Sequence, residues 1–345
     1  MSKCDDYFIE MCTDVLEGGV TTKGQKVRPR WEDGTEAYTI KKFGQITRYD
    51  LKTEPPVLTL RRVPVKNAID ELLWIWQKKS NRIADLGSRI WDAWADEDGS
   101  IGKAYGYQLA KKYRCRDVSE EGLVAAFAGY EFGEEEAESL CQVNRLSGLE
   151  PGDVSGRCRI FSDPRTGRIA AVLDRDGLWR MDQVDKVLYD LKNAPFGRRI
   201  MATVWNPEEL ADMRLEPCAY SMTFNVCADP ETGAMRLNGI LNQRSQDILT
   251  AFAWNEFQYG AGLMRMIAQC TGLEPGELVH VIADAHIYDR HVDRIRELLD
   301  RKPQPQPVLW VNPKVHDFYA FTPEDVKLLD YEVAGPQITG IPVAV

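Results

Sequence analysis

No stretch of this 345-residue chain reaches the roughly eighteen uncharged apolar residues that a membrane-spanning helix needs. Its first residues, Met1-Ser2-Lys3-Cys4-Asp5-Asp6-Tyr7, lack a basic region followed by an apolar core, so a cytoplasmic location is expected. The eight cysteines, at 4, 12, 115, 141, 158, 218, 227 and 270, include no Cys-x-x-Cys pair and no other zinc-like spacing. A disulfide scaffold is therefore not expected, nor is a metal site, and most of these thiols should be reduced and structural. Positive charge is in deficit: 43 Lys and Arg against 53 Asp and Glu leave a net charge of -10, with a pI near 5.1. That balance argues against broad binding to DNA or RNA, although a local basic pocket can still hold one phosphate. No internal repeat is present.

What is present is ample apolar sequence, 44% of the chain, enough for one large domain or two ordinary ones. From Val65 to Gln77 the residues Ala68, Ile69, Leu72, Leu73 and Trp76 recur at helical spacing, with Glu71 among them. Val184, Val187, Leu188 and Leu191 predict another helix, ended at Asn193-Ala194-Pro195. Arg199 to Trp205 reads as a strand. Tyr220, Met222, Phe224 and Val226 alternate with polar residues, the period of a strand with one buried face. A turn at Asp229-Pro230-Glu231-Thr232-Gly233 then returns the chain as a second strand, Met235 to Leu241. Asn255 to Cys270 reads as helical, and Thr322-Pro323-Glu324-Asp325 has the chemistry of a helix start. The segment 116–178 changes character, with two strands, Arg159–Phe161 and Ile169–Leu173, flanking a turn, and reads as an inserted subdomain.

The chemistry concentrates around Cys218, in Glu216-Pro217-Cys218-Ala219-Tyr220, followed by Gln243-Arg244-Ser245-Gln246-Asp247 and then Asn255. A cysteine before a strand is, taken alone, most often a small buried hydrophobe, and an asparagine opening a helix is most often a cap. Together, a thiol, an arginine-serine pair and a carboxamide make a nucleophile, an anion clamp and a base reader, which points to a nucleotide attacked by sulfur. Arg244 should favour the thiolate. Glu71, with Ala68, Trp74 and Ile75 three or four residues away, should have a raised pKa suited to moving protons near neutral pH.

Motif by motif, in order and nearly end to end, the chain resembles the thymidylate synthase family. The resemblance is carried by Glu71-Leu72-Leu73-Trp74-Ile75-Trp76, Ile90-Trp91-Asp92-Ala93-Trp94, Tyr105-Gly106, Arg198-Arg199, Pro217-Cys218, Gln243-Arg244-Ser245, Asn255, Asp284-Ala285-His286-Ile287-Tyr288 and the end Pro342-Val343-Ala344-Val345. It implies one α+β domain over residues 1–345, built on a large mixed sheet flanked by helices, forming a homodimer by sheet-to-sheet packing. It also implies reductive methylation of deoxyuridine monophosphate (dUMP) to thymidylate, with 5,10-methylenetetrahydrofolate giving one carbon and a hydride and leaving as dihydrofolate.

On that resemblance Cys218 adds to carbon 6 of the pyrimidine, Glu71 works through water at its carbonyl, and Tyr105 helps to organise the water that takes the carbon 5 proton. Asn255 reads uracil, donating to O4 and accepting from N3–H. Arg28, Gln243, Arg244, Ser245 and Asp247 belong to the nucleotide site, with Arg198 and Arg199 donated across the dimer, while His286 and Tyr288 meet the sugar hydroxyl. Folate stacks near Ile90 and Trp91, bonds Asp247 through its pterin, and is closed in by Val345. No metal is implied. The departures are Ala219, where a histidine often follows the nucleophile, Ala251, Ala253 and Trp254 for Gly, Pro and Phe, Ile282-Ala283 for a glycine pair, and Arg61 for a lysine. The alternatives are a dUMP hydroxymethylase, disfavoured by Trp91 and the C-terminal tail, and a non-catalytic nucleotide- or RNA-binding regulator, disfavoured by the complete residue set.

Overall fold

The computed structural model describes residues 2–142, 149, 152–154 and 156–345, so part of the 116–178 segment lies outside the described residues. The first helix, Lys3–Gly18, is capped by Ser2, whose hydroxyl accepts the Asp5 N–H at 3.1 Å, and buries Cys4, Phe8, Met11, Cys12 and Val15 along one stripe. A second, Val65–Trp76, buries eight residues including Glu71. Gln183–Asn193 forms the helix expected there, capped by Asp182.

The large sheet runs in the order Val20–Thr21, Thr39–Asp50, Glu274–Tyr288, Met235–Gln243, Ala219–Ala228, Met201–Thr203, with Gln246–Asp247 added beside Glu274–Tyr288. Glu274–Tyr288 pairs parallel to Met235–Gln243 and antiparallel to Thr39–Asp50, so the sheet is mixed. Along Ala219–Ala228, residues 222, 224 and 226 are buried and 223, 225 and 227 are not, which is the alternation read from the sequence. The opposite face carries exposed apolar side chains: Phe43 (88% exposed), Ile46 (55%), Ile240 (42%) and Met201 (46%). A face of that kind marks an interaction surface.

Against the buried face lies a helix that begins at Ile248 and runs to Thr271, with wide π-type turns over Ile248–Phe252 and Phe257–Met264 and α-helical turns between and after them. It touches the Val65–Trp76 helix closely: a Cβ on Gly262 would stand 2.7 Å from Leu72 Cδ2. Only glycine lets the two helices approach this far, which brings Glu71 against Trp254 and Gln258.

A separate antiparallel sheet, in the order Tyr113–Arg114, Trp179–Met181, Ile169–Leu173, Arg157–Ser162, Glu131–Glu136, takes its last three strands from the 116–178 segment, and its middle hairpin is the one predicted. Two expectations change. Arg199 to Trp205 contributes a strand only over Met201–Thr203, at the sheet's edge. The capping box at Thr322 does form, but the helix stops after one 3-10 turn, because Val326–Leu329 pairs with Val308–Val311 instead.

Candidate active site

Cys218 stands one residue before the Ala219–Ala228 strand, where the chain leaves a proline loop and enters the sheet. Its backbone is held on both sides: its N–H donates to the Tyr105 hydroxyl at 3.0 Å, and its carbonyl accepts the Arg244 N–H at 2.9 Å. Arg244 also spends Nε on the Pro217 carbonyl (3.0 Å) and Nη2 on the Glu216 carbonyl (2.8 Å). The arginine and the thiol are thus locked to one loop. Burial pushes the Cys218 thiol up from its ordinary value, while Arg244, Tyr105 and Arg28 pull it down; burial wins. The expected thiolate preference is therefore Arg244's own contribution, outweighed by burial.

Tyr105 has φ +45° and ψ −104°, a conformation an L-residue adopts only when its surroundings over-determine it. Trp91 stacks edge-on against it at 5.3 Å, and burial raises the phenol well above its usual range. Next to this pair is Glu71, buried, accepting hydrogen bonds from the indole N–H groups of Trp91 and Trp254 and from Gln258 Nε2. Burial raises its pKa, as expected; the three donors act in the opposite direction. Those donors were not legible in the sequence, although the Trp254 departure was their one visible sign.

Asn255 is half-buried, and its Nδ2 donates to Gln243 Oε1 at 2.8 Å. Gln243 in turn donates to the Ser245 carbonyl at 2.9 Å. His286 is turned by Asp284, whose Oδ1 lies 2.9 Å from Nδ1, and meets Tyr288 edge-on at 5.1 Å. Asp247 is held by Thr250 (2.6 Å) and lies 3.3 Å from His291, a buried residue that sequence reasoning passed over. Burial raises the Asp247 carboxyl but His291 and its other partners hold it lower overall. Through its other nitrogen His291 reaches the Pro342 carbonyl at 2.8 Å, and Val345 exchanges backbone hydrogen bonds with Arg30. The tail thus lies along the site. A cleft of about 600 Å³ opens between Trp94, Asp96, Arg214 and Val345.

Arg28 is exposed but close enough to lower the Cys218 thiol. Arg198 and Arg199 are exposed too; Arg199 lies 3.7 Å from Asp117 and is not brought to Arg244 or Ser245 within this chain. Ile90 is 37% exposed beside buried Trp91. Arg61 donates to the Leu249 carbonyl at 2.6 Å. Among the described residues no group of three or more His, Cys, Asp or Glu is placed to hold a metal ion, and no helix is long and apolar enough to cross a membrane.

A large mixed sheet with a half-buried thiol at one strand's mouth, an arginine tied to the same loop, and a carboxamide and a carboxyl on the covering helices defines an α+β group-transfer enzyme. Residues 6–345 match the model of the family described as Thymidylate synthase. Curated relatives include Thymidylate synthase of Bacillus mojavensis and Thymidylate synthase 1 of Bacillus subtilis strain 168, each 35% identical over 336 residues, 96% of both chains. The solved structure of thermostable thymidylate synthase A from Bacillus subtilis aligns with a TM-score of 0.74 at 35% identity, covering 99% of each chain. The chain belongs to the thymidylate synthase family and is a methyltransferase of that activity.

Proposed function

We propose that the chain converts dUMP to thymidylate with Cys218 as nucleophile and 5,10-methylenetetrahydrofolate as co-substrate. The observation that carries this is the joint anchoring of Cys218 by Tyr105 and Arg244, which fixes a thiol beside a guanidinium on one loop. The Cys218 thiol first gives its proton to water, Arg244 and Arg28 stabilising the thiolate left behind; the thiolate then adds to carbon 6 of the ring, and the electron pair of the carbon 5–carbon 6 double bond moves toward the carbonyl at carbon 4. Arg28, Arg244 and Ser245 hold the phosphate, and His286 and Tyr288 the sugar hydroxyl. Asn255 donates to O4 and accepts from N3–H, which selects uracil. Glu71, aimed by Trp91, Trp254 and Gln258, exchanges protons through water at the pyrimidine carbonyl, and Tyr105 orients the water that removes the carbon 5 proton.

Folate fits the cleft edged by Trp94 and Val345, beside Ile90 and Trp91 and with Asp247 for the pterin; when bound it supplies one carbon and a hydride. Trp91 and the tail exclude water there, which favours reduction over hydration. The exposed apolar face around Phe43, Ile46 and Ile240 supports a sheet-to-sheet homodimer, in which Arg198 and Arg199 complete the partner's phosphate site. A 116–178 insertion within a single 1–345 domain and a cytoplasmic location belong to the same proposal. Mass analysis of the product tests it: thymidylate is expected, whereas 5-hydroxymethyl-dUMP would turn the assignment to a hydroxymethylase.

A further inference from the structure

The buried face of the large sheet is mainly apolar, yet Thr47, His280 and Gln243 stand on it together, 0%, 0% and 2% exposed. Strand register puts them there: Thr47 lies opposite His280, and Leu241, opposite His280 on its other side, is two residues from Gln243. The Ala253–Glu256 turn lays Asn255 and the fully buried Glu256 over them. Asn255 Nδ2 and His280 Nε2 both face Gln243 Oε1, at 2.8 and 3.0 Å. His280 Nδ1 lies 3.1 Å from Glu256 Oε1, which also accepts from Thr47 at 2.9 Å.

The hydrogen-bonding capacity of each group settles the orientations. Gln243 Nε2 faces the Ser245 carbonyl, which only accepts, so the other end of that amide is its oxygen. Both groups facing the oxygen must then donate: Asn255 through its amide nitrogen, and His280 through a protonated Nε2. One more proton lies between Nδ1 and Glu256, whichever of the two holds it. Asn255 is left with its Oδ1 and one N–H for the pocket. Turning that amide over, which would suit cytosine's acceptor at N3 and donor at N4, would set Oδ1 against Gln243 Oε1.

We propose that His280 and Glu256 are positioning residues for base selection: they pin Gln243, and through it the Asn255 amide, in the orientation that accepts uracil and rejects cytosine. This rests on the reading of Asn255 given above. Burying a carboxyl and an imidazole is costly without such pairing, so single loss of either threatens the fold; the informative variants are His280→Gln and the apolar double variant His280→Phe with Glu256→Leu.

The experiment measures kcat/KM for dUMP and for deoxycytidine monophosphate, with folate, in wild type, Asn255→Asp and these two. Removing the hydrogen bond that pins Gln243 should lower the uracil-to-cytosine ratio roughly tenfold in the double variant. His280→Gln, whose amide nitrogen can occupy the Nε2 position, should recover most of it. In wild type, nitrogen-15 NMR of the chain's four histidines should find the proton donated to Gln243 on Nε2 of His280. A ratio that changes in Asn255→Asp but not in the folded double variant overturns the inference alone, as does a bare Nε2, which needs no folded variant. An unchanged ratio in Asn255→Asp overturns the base-reading assignment and the inference with it.

Discussion

Replacing Trp254 with phenylalanine removes one of three hydrogen-bond donors from buried Glu71 while keeping an aromatic ring in place. Burial raises that carboxyl's pKa and the donors hold it down, so losing one donor must raise it further. A hydrogen bond to a charged group contributes about 1.5–3 kcal/mol. At 1.36 kcal/mol for each pH unit, that corresponds to an upward move of about one to two units. The pH profile of kcat/KM should show the limb governed by Glu71 displaced by that amount toward alkaline pH. Stability supplies a second readout. A carboxyl whose folded pKa exceeds its unfolded value contributes stability that is fully present below the unfolded pKa and is lost as pH rises through the folded one. Trp254→Phe enlarges that loss, so the variant's melting temperature should fall further below wild type as pH rises from the acid side to neutrality, whereas a mere packing defect would be independent of pH. A limb that stays put or moves to acid pH refutes the assignment of Trp254 as a donor that holds the Glu71 charge.

Gly262→Ala places a Cβ at 2.7 Å from Leu72 Cδ2 and should destabilise the protein by about 1–3 kcal/mol, read as a lower denaturation midpoint with an unchanged slope. If the proposed homodimer shares its sites as argued, Cys218→Ala and Arg198→Glu chains should each be inactive, yet co-refolded at equal amounts they should recover roughly one quarter of wild-type activity, since half the dimers would be hybrids and each hybrid would have one intact site. Tagged hybrids without activity would mean that Arg198 does not serve the neighbouring site.

Local patterns told most of the fold. Alternation from Tyr220 to Val226 and the turn at Asp229–Gly233 depend on neighbours in sequence, and the hairpin they predict is present. Thr322 shows the limit of such reasoning: its capping chemistry is real, but pairing of Val326–Leu329 with a distant strand overrides helix propagation. Cys218 and Arg244 were legible as a pair, although the sequence said nothing of how far burial offsets the arginine's effect on the thiol. Least legible were contacts across long separations. Trp254 meets Glu71 across 183 positions, and Thr47 meets Glu256 across 209. In sequence His280 looks like one polar residue within an apolar strand; only the sheet register and the overlying helix turn it into part of a chain that ends at Asn255.

The central claim is that Cys218 activates the pyrimidine ring by adding to carbon 6. The direct measurement is release of tritium from dUMP labelled at carbon 5, in the presence and absence of methylenetetrahydrofolate, by wild type and by Cys218→Ala. Wild type should release tritium in step with thymidylate when folate is present, and Cys218→Ala should release none while still binding dUMP. Folate-dependent tritium release by purified Cys218→Ala would contradict the account.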